Sequence, residues 1–253
     1  MSLNIEILDS CDSTNAVLAG RPDAQHGTVV ATRSQTAGRG QRGNSWEAEP
    51  GKNLTFSLLL RPQGFPAARQ FELSMLVALG VADVLNSLFA RLGFRDLEAR
   101  IKWPNDIYVG HEKIVGILIE NQLSGAGIDR TIVGIGVNVN QTRFLSDAPN
   151  PTSVALLTGR TLALEPLLGE MADVIMTYVD QYLAAPVPEA LRQTYIQCSY
   201  PGYGLQATYA EPDGEPFDAI IMDVSPDGRL TLSNGRSYYF KEIALVLPEK
   251  NQG

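Results

Sequence analysis

The chain has 253 residues, with 20 Lys and Arg against 28 Asp and Glu, a formal net charge of −8 and 44% hydrophobic residues. That balance excludes a generic basic nucleic-acid binder, and the composition excludes disordered and fibrous classes. Cys11, Cys198, His26 and His111 are the only cysteines and histidines, too few for a disulfide framework or a Cys/His metal cluster, so no metal site is expected.

In chain order, Met1–Asp9 has no basic n-region and does not read as a signal peptide. Apolar runs rich in β-branched residues predict strands of one six-stranded sheet at Asn4–Leu8, Thr28–Thr32, Leu54–Leu60, Arg100–Val109, Lys113–Glu120 and Thr131–Val139. Across Ala67–Leu92, Phe71, Met75, Leu79, Ala82, Leu85 and Phe89 recur at helical spacing, and a second amphipathic segment spans Leu164–Leu183. The longest apolar stretch, Leu73–Leu92, is broken by Ser74, Asp83, Asn86 and Arg91, which argues against a membrane span. A soluble cytoplasmic protein is expected.

Strands and helices cluster rather than alternate, and breaks such as Gly110-His111 join consecutive strands, so the fold class is α+β, a mixed or antiparallel sheet covered by helices. After Cys198, short candidate strands at Leu205–Tyr209, Phe217–Asp223, Leu230–Leu232 and Tyr238–Leu247 alternate with Asp-Gly and Asn-Gly turns, the pattern of a small β-barrel. Residues 1–197 are therefore expected to form the main domain and 198–253 a small one packed closely on it.

Four segments carry chemistry. Asp12-Ser-Thr-Asn15 supplies N-cap residues before an apolar run, and capping is its default reading. Gly38-Arg-Gly-Gln-Arg-Gly-Asn-Ser-Trp46 matches G-x-G-x-x-G, yet it leads into a strand rather than a helix, and Asn44 stands where a Walker A lysine belongs. What remains is a glycine-rich loop whose Arg39 and Arg42 either close over an anion or face water. Lys102-Trp-Pro-Asn-Asp106, followed by Lys113-Ile-Val-Gly-Ile-Leu118, places a lysine among apolar residues, either beside an anionic partner or on an exposed edge strand. In Gly134-Ile-Gly-Val-Asn-Val-Asn140, glycines alternate along a strand and admit close approach of a ligand or tight packing of the long helix; Asn138 there could serve as a turn cap. Cys11 reads as a packed thiol and His111 as an exposed turn residue.

In this order, these four segments resemble the biotin protein ligase family, of the type that lacks an N-terminal DNA-binding domain. The resemblance implies a class II synthetase-like catalytic domain with a small SH3-like C-terminal barrel. It implies ATP-dependent formation of biotinyl-5′-AMP, with Mg2+ beside the phosphates, and transfer to a lysine of a biotin carboxyl carrier domain. It also implies biotin contacts at Ser13, Thr14, Asn15, Gln35, Gly38, Arg39, Gly40, Gln41, Lys113 and Gly116. ATP contacts fall at Arg39, Arg42, Trp46, Lys102, Asn105, Asp106 and Asn138, and Arg39, Lys102 and Lys113 carry the catalytic charge.

Gln41 and Asn44 replace arginines common in family members, which lowers the loop's charge and is expected to weaken adenylate retention. The chain starts almost at Asp12, leaving no room for a DNA-binding domain, so no operator binding is expected. Competing readings are a lipoate or octanoate ligase or transferase of the same superfamily and a non-catalytic biotin- or nucleotide-binding module. An exposed sheet edge could pair with a second copy, giving a homodimer, or with the carrier.

Overall fold

The computed structural model describes residues 3–41, 44–145 and 150–247. Its main sheet has eight strands: β1 (Asn4–Leu8), β2 (Thr28–Thr32), β3 (Leu54–Leu60), β4 (Phe65–Pro66), β5 (Ala99–Lys102), β6 (Asp106–Val109), β7 (Glu112–Ser124) and β8 (Gly127–Val137). Seven run in the order β1-β2-β3-β8-β7-β6-β5, with β4 beside β8. Only β1 and β2 pair in parallel, so the sheet is mixed and mostly antiparallel, as its hairpin breaks imply.

Strand alternation gives the sheet two faces. Phe56, Leu58, Val115, Ile117, Val133, Ile135 and Val137 belong to the large core, together with the buried sides of α2 (Gln70–Leu92) and α4 (Leu164–Ala184). These helices cross closely where Gly80 meets Ile175; a Cβ at residue 80 would lie 3.1 Å from the Ile175 Cα. Although α2 is long and apolar enough to cross a membrane, it serves here as a core helix with most of its residues buried. It ends at Gly93, whose φ of 91° is the left-handed conformation glycine adopts without a Cβ penalty.

The opposite sheet face carries only a small apolar cluster, Leu18, Val30, Leu59 and Ile132, under the short helix α1 (Thr14–Ala19). Two further helices follow: α3 (Val154–Thr158), tied by its first N–H groups to the Asn138 and Val139 carbonyls just after β8, and α5 (Pro188–Gln197), packed on α2 where the Tyr195 and Phe71 rings meet edge-on. The chain then builds two three-stranded antiparallel sheets in the expected SH3-like manner. One contains β9 (Ala207–Ala210), β10 (Phe217–Ala219) and β14 (Ala244–Leu245), the other β11 (Ile221–Val224), β12 (Leu230–Leu232) and β13 (Ser237–Tyr238). The Trp103 indole N–H donates to the Gly228 carbonyl at 3.1 Å, and Trp103 meets the Phe240 ring edge-on, so this part packs directly on the β5–β6 hairpin.

Several boundaries differ from expectation. Arg100–Val109 is not one strand: Trp103, Pro104 and Asn105 form a turn that separates β5 from β6. Proline cannot donate to a ladder, and Asn105 instead binds β7 through its side chain, 2.7 Å from the Ile117 carbonyl. Phe217–Asp223 divides at Ile220, whose N–H donates to the Ser233 hydroxyl. Tyr238–Leu247 divides around a turn containing Lys241, φ 79°. The expected Ala67–Leu92 helix begins with a 3-10 turn over Ala67–Arg69.

Candidate active site

The pocket-side face of the sheet is read directly from register. Thr55 pairs with Gly136 and Ser57 with Gly134 between β3 and β8; Gly116 pairs with Gly136 and Leu118 with Gly134 between β7 and β8. Three neighbouring strands thus expose glycines and small polar residues where core strands carry branched side chains. A cavity of about 780 Å3 stands on this floor.

The spaces above the glycines are filled. A Cβ at Gly134 would overlap the Asn15 amide, and one at Gly136 would overlap the Trp46 indole. At Gly116 a Cβ would lie 2.7 Å from Trp46 Cζ3. The glycines of the third segment therefore admit Asn15 of the short helix α1 and Trp46 of the glycine-rich loop, not the long helix of the alternative reading, since α2 packs with the core on the other face.

Segment 11–15 is laid beside 34–37 by a continuation of the β1–β2 pairing: Cys11 N–H donates to the Ser34 carbonyl, and Thr36 N–H to the Cys11 carbonyl. Ser13 stands at the N-cap position of α1 but makes no side-chain cap bond. The capping reading is corrected here: the Ser13 hydroxyl caps no first-turn N–H, and the Thr14 N–H is bound from outside the helix by Gln35 Oε1 at 3.0 Å. Ser13, Thr14 and Asn15 are all buried, and Arg130 donates to the Leu18 and Arg21 carbonyls at the other end of α1.

The glycine-rich loop is a hairpin, not a helix entry: Trp46 N–H donates to the Gly38 carbonyl at 3.1 Å, and Gly40 N–H to the Asn44 carbonyl at 2.6 Å. A Cβ at Gly38 would lie 2.5 Å from the Trp46 carbonyl oxygen and 2.8 Å from Gln35 Nε2, so the loop closes only with glycine there. Arg39, Gly40 and Gln41 line the cavity; Arg42 lies outside the described residues.

The cationic side is built by the β5–β6–β7 hairpins. Lys113 Nζ lies 2.7 Å from Asp106 Oδ1 and 5.6 Å from the Trp46 ring, while Lys102 Nζ lies 4.0 Å from Asp106 Oδ2 and 5.4 Å from the Tyr108 ring. Burial pushes the Lys102 ammonium below its ordinary value; Asp106 opposes that shift and Lys113 adds to it. Neither lysine is the free edge residue that a lone strand would present.

Among the described residues, three buried polar atoms on this cavity lack a hydrogen-bond partner: Gln41 Oε1, Trp46 Nε1 and Asn138 Oδ1. Such atoms are rare in folded proteins, and their convergence marks the cavity as a ligand site. Of the expected site residues, Ser13, Thr14, Asn15, Gln35, Arg39, Gly40, Gln41, Trp46, Lys102, Asn105, Asp106, Lys113, Gly116 and Asn138 all line it. Gly38 stands behind the wall, supporting Gln35 and Trp46. Asn138 does not act as a turn cap: its backbone ties β8 to Ile114 and Val154, while its side-chain Oδ1 caps no N–H among the described residues.

Sequence reasoning missed Thr55, Phe144, Pro151 and Phe240, which also line the cavity, and Ser57 and Glu120, which support it. Ser57 was legible as a polar residue inside the apolar run Leu54–Leu60. His111 is exposed in its turn, as expected, with Nδ1 2.5 Å from the Tyr200 hydroxyl.

Across the floor the chemistry changes in order. Neutral hydrogen-bonding groups (Thr14, Gln35) lie near Gly134, the indole lies over Gly136 and Gly116, and the lysine pair with Asp106 lies at the β6 side. The cavity suits a molecule with a neutral polar head, an apolar middle and an anionic end.

Comparison with known proteins agrees. Residues 8–138 match the biotin/lipoate A/B protein ligase family. The chain is 36% identical over 195 residues to the biotin–acetyl-CoA-carboxylase ligase of Paracoccus denitrificans, covering 73% of this chain and 78% of that protein. It is 27% identical over 238 residues to the Mycobacterium tuberculosis protein of the same name, covering 91% of this chain and 84% of that one. Against the bifunctional ligase/repressor BirA of Escherichia coli, 32% identity covers 46% of that longer protein. In fold, the chain is similar to the biotin protein ligase from Aquifex aeolicus in complex with biotin and ATP, with a TM-score of 0.77, 24% identity and coverage of 97% of this chain and 99% of that one.

Proposed function

This chain belongs to the biotin/lipoate A/B protein ligase family, and from that premise we propose that its pocket activates biotin with ATP and passes the biotinyl group to a lysine of a biotin carboxyl carrier domain. The observation that carries this reading is the order of chemistry across the pocket floor. Biotin has a neutral cyclic urea, an apolar ring and chain, and a carboxylate, in the same order.

In the first step a biotin carboxylate oxygen attacks the α-phosphorus of ATP, the P–O bond to pyrophosphate breaks, and biotinyl-5′-AMP forms. In the second, the deprotonated amine of the carrier lysine attacks the acyl carbon, the C–O bond to phosphate breaks, AMP leaves, and the proton lost from nitrogen passes to solvent. No enzyme nucleophile is required, so catalysis rests on positioning and charge.

Thr14 and Gln35 take the urea, with Ser13, Asn15, the Gly38–Gln41 loop and Gly116 shaping that end. Lys113 and Arg39 face the carboxylate and then the acyl phosphate. Lys102 faces the α-phosphate, where its charge stabilises the crowded transition state. Trp46, Asn105, Asp106 and Asn138 form the nucleotide side, and we assign Arg42 there as well. ATP enters as its magnesium complex: among the described residues no cluster of His, Cys, Asp and Glu could hold a metal, and Mg2+ is commonly held by substrate phosphates with few protein ligands.

We read residues 1–197 as the catalytic domain and 198–253 as the small barrel. The reaction belongs in a reducing, ATP-rich compartment such as the cytoplasm, in keeping with the free thiols of Cys11 and Cys198. For a homodimer the sheet offers the outer edge of β1, where Ile5 and Ile7 are exposed; sedimentation of the wild type against Ile7→Lys tests it.

The direct test of the function is incubation with biotin, MgATP and a purified apo carrier domain, followed by intact-mass analysis. One biotinyl group on the carrier lysine is expected; an unmodified carrier with folded enzyme would contradict the reading.

A further inference from the structure

We infer that Glu120 is a positioning residue which, through Asn15 and Ser57, fixes the Thr14 hydroxyl as a hydrogen-bond acceptor and thereby selects an acid bearing an N–H group. The inference rests on the reading of the pocket as a biotin site and explains how that site tells biotin from a fatty acid.

Glu120 lies on β7, on the same face as Gly116 and Leu118, and is itself exposed. Its Oε2 is 2.6 Å from Asn15 Nδ2. A carboxylate accepts and does not donate, so the Asn15 amide is held with its NH2 toward Glu120 and Oδ1 toward Ser57. That Oδ1 accepts only, and Ser57 Oγ lies 2.6 Å from it. The single proton of the Ser57 hydroxyl is therefore committed to Asn15.

Ser57 Oγ also lies 2.7 Å from Thr14 Oγ1. With its own proton committed, Ser57 can only accept there, so Thr14 donates to Ser57. Thr14 Oγ1 then has only lone pairs left for a ligand. Ser57 is fully buried, and in such surroundings a satisfied network holds its members in one arrangement.

Gln35 is fixed by a parallel argument. Its Oε1 accepts the Thr14 N–H at 3.0 Å, which leaves Nε2 as its donor group, with no hydrogen-bond partner among the described residues. The neutral end of the pocket thus presents one acceptor and one donor, the complement of the N–H and C=O of a cyclic urea. Octanoate and lipoate bring no partner for either group, and a site built around hydrogen bonds rejects ligands that leave its polar atoms unpaired.

The test uses the full chain and calorimetric binding of biotin and of octanoate, with saturating-substrate rates of adenylate formation. Glu120→Leu is expected to weaken biotin binding about tenfold, the scale of one neutral hydrogen bond, to leave octanoate binding unchanged, and to hold kcat within about twofold because the head group is remote from the reacting atoms. Glu120→Gln, whose Oε1 still accepts from Asn15, restores biotin affinity. Ser57→Ala, carried in parallel in case Glu120→Leu does not fold, breaks the relay at its centre and shows the same selective loss. Unchanged biotin affinity in folded Glu120→Leu and Ser57→Ala, or an equal loss for both acids, would overturn the relay. A wild-type protein that binds no biotin would instead overturn the reading of the pocket itself.

Discussion

Asp106 Oδ1 lies 2.7 Å from Lys113 Nζ across the β6–β7 hairpin. The same carboxylate stands 4.0 Å from Lys102, so one acid is shared by two bases on a pocket wall. An anionic ligand arriving between the lysines competes with Asp106 and meets two cations already in position, without the cost of assembling them.

Lys113→Ala and Lys102→Ala are each expected to slow single-turnover adenylate formation by about 30- to 1000-fold, equivalent to ~2–4 kcal/mol of barrier. Circular dichroism checks that each variant is folded. Normal rates in both folded variants would remove the lysines from the chemistry.

The position of Lys102 gives a pH dependence. Burial lowers its folded titration below the ordinary value of 10.5, and Asp106 holds part of that shift back. Across the interval between the folded and unfolded values the unfolded chain binds the extra proton, so this group's contribution to stability rises with pH there. Activity runs the opposite way, because the working form is the ammonium. The kcat/KM for ATP is expected to fall with an alkaline midpoint below 10.5, and Asp106→Asn is expected to move that midpoint lower still. An alkaline limb at or above the ordinary lysine value would contradict the assignment.

Gly136→Ala places a methyl group against the Trp46 indole. The sheet retains its pairing, but the indole must leave the floor, and ligand affinity is expected to fall at least about tenfold with little loss of stability. The chain has two tryptophans, and Trp103 is buried elsewhere. In a Trp103→Phe background, the emission of Trp46 should shift to the red in Gly136→Ala; an unchanged spectrum and unchanged affinity would contradict the packing.

Glu72 is fully buried, and its carboxylate is met by Arg69 at 2.6 Å and by the Tyr182 hydroxyl at 2.5 Å. Burial, reinforced by Glu72, pushes the Tyr182 hydroxyl up to about 12. Arg69→Met leaves a buried charge without its cation and is expected to cost about 3–5 kcal/mol in denaturant unfolding. Glu72→Gln with Arg69→Met should recover much of that loss, since the uncompensated charge is gone; a double variant no more stable than Arg69→Met would contradict this account.

Much of the sheet was legible because its strands are apolar runs bounded by turn residues; Asn4–Leu8, Thr28–Thr32 and Leu54–Leu60 keep those bounds. The pocket floor was legible in part, since glycines alternating along Gly134–Val139 on a strand require close neighbours, though their identity, Asn15 and Trp46, is tertiary information. The hidden features have local causes. The Trp103-Pro104-Asn105 turn lies inside a run that reads as one strand, and its closure depends on the Asn105 bond to β7. Ser13 has cap chemistry, but its hydroxyl caps no N–H of α1, and the bond that holds the start of that helix comes to Thr14 from a residue distant in sequence, Gln35. Glu120 reads as one more surface acid on β7, and its bond to Asn15 appears only when β7 and α1 are brought together by β8 and β3.

The most direct measurement of the central claim is ATP–pyrophosphate exchange by the purified chain with biotin, octanoate or lipoate as the acid, since it reports adenylate formation without any carrier. Exchange with biotin alone is predicted. Exchange supported by octanoate or lipoate and not by biotin, or no exchange with any acid by a folded protein, would contradict it.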